Sequence, residues 1–146
     1  MRCVATLLAV SLLAATPSVA RQLDPSGIPD PASQPALEGD ALTELFMGRT
    51  HRGYYQYHDL EERDPAFVEE MGADGSAVHN QDGVVSRGEW RTRHNVVCFE
   101  YETLNGGCFN VLSGGNCYFI FSAFSQELVA VTVLDGDTPD CEPSIA

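Results

Sequence analysis

The sequence predicts a mainly β domain of α+β type: a short N-terminal helix packed on a curved antiparallel sheet or small open barrel. Three observations predict it. From Thr50 onward, short runs of aromatic and β-branched residues alternate with Gly, Asn and Asp turns. Those turns are brief, and brief turns join antiparallel neighbours, since a parallel crossover needs about a dozen residues or more. One helical pattern precedes the first such run.

The elements follow in order. Arg2 gives a positive start, residues 4–15 form an uncharged apolar run, Pro17 breaks it, and Ser18-Val19-Ala20 supplies a small-x-Ala ending. Residues 1–20 read as a secretory signal peptide, because the apolar run is too short to cross a bilayer. Residues 21–39 carry Pro25, Pro29, Pro31 and Pro35 among Gly, Ser and Asp, and read as a flexible leader. Residues 40–146 then form a single disulfide-stapled domain. Asp40 is the expected helix N-cap, Leu42, Leu45 and Phe46 share one face, and Gly48 ends a helix over 41–47. Strands are expected over 50–58, 67–71, 76–80, 84–93, 96–102, 108–112, 117–124 and 128–134. The strand over 117–124 is apolar on both faces, which places it centrally. Residues 59–65 carry four acids and a proline and read as an exposed loop.

Charge narrows the partners. The chain has formal charge −13 and no lysine, and loss of Arg2 with the signal peptide takes it to −14. Such a surface repels phosphate backbones and anionic membranes and tolerates a cationic partner. Cys98, Cys108, Cys117 and Cys141 remain after cleavage; an even count in an exported chain favours disulfides, and no Cys-x-x-Cys pair exists to grip zinc. Spacing does not choose among the three possible connectivities. The expected location is periplasmic or secreted, with no membrane anchor in the mature chain.

Leu45-Phe46-x-Gly48-x-Thr50, the tyrosines Tyr54, Tyr55 and Tyr57, Ala73-Asp74-Gly75, Gly88-Glu89-Trp90, Val97-Cys98-Phe99-Glu100-Tyr101 and Cys108-Phe109-Asn110-Val111 occur in a set order. In that order the chain resembles a group of small secreted alphaproteobacterial proteins of unknown function, over roughly residues 42–121. The resemblance implies an exported helix-plus-sheet domain with a Cys98–Cys108 disulfide and no assigned catalytic residue. The chain departs from the pattern by adding Cys117, Cys141 and a longer acidic loop. The pairing carried forward is Cys98–Cys108, flanking the Asn105-Gly106-Gly107 turn, with Cys117–Cys141 pinning the C-terminal tail.

Candidate chemistry is sparse. Residues 80–89 match an EF-hand calcium loop from its third position, with Asn80, Asp82, Gly83 and Glu89 in register, but Val78 stands where the first Asp is required. A hairpin turn is the better reading, and no metal or cofactor is expected. His51, His58, His79 and His94 have no partners at metal-site spacing and read as scattered surface or rim residues. No Gly-x-Ser-x-Gly elbow exists, and no catalytic residue is assigned. The aromatic residues either fill the core or line a pocket. Two functions follow from these readings. The first is a non-enzymatic, inhibitor-like interaction protein meeting a cationic envelope partner through Glu61, Glu62, Asp64, Glu69 and Glu70. The second is a carrier of a small apolar ligand in a cupped sheet, and an enclosed apolar cavity is what would separate it from the first.

Overall fold

A computed structural model of the chain describes Asp30 and residues 34–56 and 65–141. The expected signal peptide, most of the leader, and Tyr57, His58, Glu61, Glu62 and Asp64 lie outside the described residues. One helix, α1 (Gly39–Phe46), precedes eight strands: β1 (Thr50–Tyr55), β2 (Ala66–Met71), β3 (Ser76–Gln81), β4 (Val84–Arg93), β5 (Val96–Tyr101), β6 (Gly107–Gly114), β7 (Cys117–Ser122) and β8 (Leu128–Leu134). Each strand pairs antiparallel with the next, and β8 pairs with β1, so the sheet closes into a barrel. The open or curved sheet expected from sequence is corrected on this point. Closure rests on the register His51↔Leu134, Gly53↔Thr132, Tyr55↔Ala130, a pairing between the two ends of the sheet that no local pattern encodes.

Alternation decides which side chains enter the barrel. Phe67, Glu69 and Met71 of β2 point inward while Glu70 is exposed. On β4, Ser86 and Trp90 are buried while Arg87, Glu89 and Arg91 face water. Gly88 permits close strand approach, because a methyl group there would overlap the Glu100 carbonyl oxygen. The Asp82-Gly83 turn between β3 and β4 has positive φ at both residues (52° and 77°), the signature of a type I′ hairpin. The calcium-loop look-alike is therefore a hairpin.

The strand directions give the barrel two distinct ends. The α1–β1 junction and the β2–β3, β4–β5 and β6–β7 turns lie at one end; the β3–β4, β5–β6 and β7–β8 connections lie at the other. Helix α1 closes the first end. Eight residues are too few for a stable isolated helix, so docking holds it. Leu42, Leu45 and Phe46 are buried against Met71, Trp90, Val97 and Phe99, each contributing about 2 kcal/mol by burial. The helix starts at Gly39, with Glu38 at the cap position making no side-chain cap bond. Asp40 is thus the second helical residue, in the first turn, where its charge still favours the helix N-terminus. Gly48, at φ 66°, turns the chain out as expected.

A second apolar cluster lies outside the barrel. Leu112, Cys117, Phe119, Phe121, Val131 and Val133 of β6–β8 pack together with Ala36 and Cys141. The end of the proline-rich stretch lies there: Leu37 N–H donates to Val111 O at 2.7 Å and Gln34 Nε2 to Ser113 O at 2.9 Å. Strand β7 is apolar on both faces because one faces the barrel core and the other faces this cover. Disulfides join Cys98 to Cys108 and Cys117 to Cys141.

The second disulfide closes a loop with a sequence separation of 24 residues, worth about 3 kcal/mol in the chain-entropy model. The double variant Cys117→Ser, Cys141→Ser is expected to lose about that much in urea denaturation; an unchanged midpoint would contradict the clasp. Gly88→Ala is expected to lower stability by at least about 2 kcal/mol in the same assay, through overlap that only a backbone shift can relieve.

Candidate functional site

The barrel interior is packed at the helix end and hollow toward the other. The hollow has a volume of about 70 Å³ and is lined by His51, Tyr55, Phe67, Glu69, Phe99, Tyr101, Leu104, Asn105, Gly106, Phe109, Ile120, Val129, Ala130 and Thr132. Six of the eight strands, all but β3 and β4, place these residues by their inward alternation, and the β5–β6 connection supplies Leu104, Asn105 and Gly106 at the rim. A register shift on the β7–β8 pair sets Ile120 opposite Ala130 and Phe121 opposite Leu128. The extra residue is Val129, and the bulge lets Val129 and Ala130 both reach the hollow.

The floor is His51, 1% exposed. Its Nε2 lies 3.1 Å from Leu45 O. A carbonyl only accepts, so Nε2 carries the proton and Nδ1 accepts from Thr132 Oγ1 at 3.1 Å. Its ring stacks on Phe46, with centroids 4.9 Å apart. Burial holds the His51 pKa below the ordinary histidine value; the Leu45 carbonyl opposes this and Arg49 adds to it.

The wall holds one carboxylate. Glu69 is 9% exposed. Its Oε1 accepts from the Tyr101 hydroxyl and its Oε2 lies 3.2 Å from His79 Nδ1. His79, 2% exposed, sits among the rings of Tyr55, Phe67 and Tyr101, and its Nε2 has no hydrogen-bond partner among the described residues. Burial, with the Glu69 charge next, pushes the Tyr55 and Tyr101 hydroxyls well above the usual tyrosine range, so both keep their protons. Among the described residues the lining therefore offers a carboxylate, hydroxyls and aromatic rings, with no Lys or Arg and no Ser or Cys nucleophile.

The structure redistributes the residues singled out from sequence. Glu69 and Glu70 do not share an acidic face: neighbours on a strand point to opposite sides, so Glu69 is inside and Glu70 outside. Of the histidines expected at the surface, His51 and His79 are buried while His94 sits exposed in the β4–β5 turn. The aromatic residues do both things asked of them: Trp90 fills the core, with Nε1 donating to Gly72 O at 2.9 Å, while Tyr55, Phe67, Phe99, Tyr101 and Phe109 line the hollow. Among the described residues no group of three His, Cys, Asp or Glu could hold a metal ion, and no helix is long and apolar enough to cross a membrane. The alternation Phe67-x-Glu69-x-Met71 and Ala77-x-His79-x-Gln81 was the available signal for the buried pair.

Because folding depresses the His51 pKa, the unfolded chain binds more protons at acid pH. This contribution to stability is complete above about pH 6.5 and falls as pH drops below it, by at most about 1.4 kcal/mol per pH unit. Urea unfolding at pH 7.5 and 5.5 should show that decline in the native protein and a flatter dependence in His51→Gln; parallel slopes would contradict it.

No family model matches this chain, and neither a curated protein nor a solved structure does.

Proposed function

We propose that this is a binding protein that holds one small, largely apolar molecule inside the barrel. The observation that carries the reading is the hollow of about 70 Å³ beneath the Leu104–Gly106 rim, lined mainly by aromatic and aliphatic side chains with a few convergent polar atoms. An eight-stranded barrel has an interior that side chains can just fill or that can hold one small ligand. Here the packing stops part-way, and the carrier reading gains from that. The acidic-face reading loses Glu69, one of its five residues, which is buried in the barrel while Glu70 stays exposed. Two disulfides are compatible with an oxidising compartment, and a periplasmic or secreted location, after removal of residues 1–20, is part of the proposal.

Size sets the ligand class. An engineered cavity of about 150 Å³ takes benzene, so this hollow suits a group of a few heavy atoms, with any longer part leaving past the rim. Titration with neutral molecules of about five to eight heavy atoms, such as cyclohexanol and 3,3-dimethylbutan-1-ol, is expected to move amide resonances of residues 104–109 and 129–132. Ala130→Leu, which fills the hollow from β8, should abolish those changes at a stability cost of about 1–3 kcal/mol. Silence of those resonances with every molecule, or full binding by the Ala130→Leu protein, would overturn the reading.

A further inference from the structure

We propose that the molecule held in the barrel carries an organic ammonium group, seated between the aromatic wall and the Glu69 carboxylate. This rests on the binding function proposed above and names its ligand class.

Charge is the first argument. Among the described residues Glu69 is the one acidic residue lining the hollow, and neither Lys nor Arg lines it to compensate. Tyr101 and His79 each occupy one carboxylate oxygen, but an ionised carboxylate offers about four acceptor positions, so two remain. A ligand carboxylate would meet Glu69 with no cation between them, and like charges at close range in a low-dielectric space repel strongly. A wholly apolar ligand would strip water from Glu69 and offer nothing in return. An ammonium group meets the need in both respects.

The rings are the second argument. Tyr55, Phe67, Phe99, Tyr101 and Phe109 all line the same hollow as the carboxylate. Aromatic rings attract cations through their quadrupole, more strongly when water is excluded, and cages of such rings recognise methylated ammonium groups. Tyr55 and Tyr101 keep their hydroxyl protons, so they add acceptor and π character without adding charge. His51 at the floor is held toward its neutral form, so it does not oppose a cation. At about 70 Å³, less than half the cavity that takes benzene, the hollow admits an ammonium head of a few heavy atoms, with the rest of the molecule at the rim. The chain's formal charge of −13 draws cations toward the molecule before they enter.

The groups facing Glu69 are Tyr101 and His79, with Tyr55 beside them. The test is run at pH 8, above the ordinary histidine range. Calorimetric and NMR titrations compare choline, its uncharged isostere 3,3-dimethylbutan-1-ol, and butanoate on the purified protein. Choline is expected to bind at least tenfold more tightly than the isostere, and butanoate not at all. Glu69→Gln should bring choline down to the level of the isostere, whose own affinity stays within about twofold. Equal binding of choline and isostere to the native protein would overturn the ammonium assignment while leaving the barrel a binding site. Failure of all three, together with failure of the neutral molecules above, would overturn both. The native-protein ratio decides the matter even where Glu69→Gln does not fold.

Discussion

Barrel closure depends on what surrounds His51. This one side chain joins three elements: its own strand β1, the preceding helix and the last strand. It donates to Leu45 O at the end of α1, stacks on Phe46, and accepts from Thr132 on β8 while itself belonging to β1. The first strand, the last strand and the helical plug are thus joined at a single buried ring. The β1–β8 seam is the pairing that turns a meander into a barrel, and the helix covers the end at which that seam begins. Both imidazole nitrogens are satisfied, so burying the ring leaves no polar group stranded. A residue that could only donate or only accept would leave one of the two partners unmet.

The interior changes character along its axis. Toward the helix it is apolar and filled: Leu42, Phe46, Met71, Trp90 and Val97. Away from the helix it acquires Glu69, His79 and the two tyrosine hydroxyls, and the packing opens. Stability comes mainly from the filled half and from the outer cover on β6–β8, where the Cys117–Cys141 clasp sits. That division lets the hollow half keep buried polar groups, which cost stability wherever they are incompletely matched.

Much of the architecture is legible in local sequence. The turn residues place the hairpins, Gly48 ends the helix, and β4 and β8 occupy the expected 84–93 and 128–134. Other strands differ by a residue or a few: β1 ends at Tyr55, and β6 extends from Gly107 to Gly114. Closure was not legible, because His51 and Thr132 meet across 81 positions and neither flank announces the other. The Glu69–His79 pair was hidden for a different reason. Charged residue types read as surface by default, and the adjacent Glu70 strengthens that impression; only the two-residue period through Phe67 and Met71 places Glu69 inside. Strand β7 shows the same lesson in reverse. Its two apolar faces were correctly recognised, but their cause is a chain segment laid over the barrel, not a position in the middle of an open sheet.

The closing seam also dictates an order of assembly. Strand β1 is made before the other strands, yet one of its two partners is β8, the last of them. The β3–β4 and β4–β5 hairpins have their partners at once; the open edge of β1 must wait. Long-range strand pairing of this kind is slow, because loop entropy is lost before contacts are gained. Helix α1 finds Met71, Trp90, Val97 and Phe99 once β5 is made, but until β8 arrives the seam edge of β1 and the Nδ1 of His51 lack their native partners.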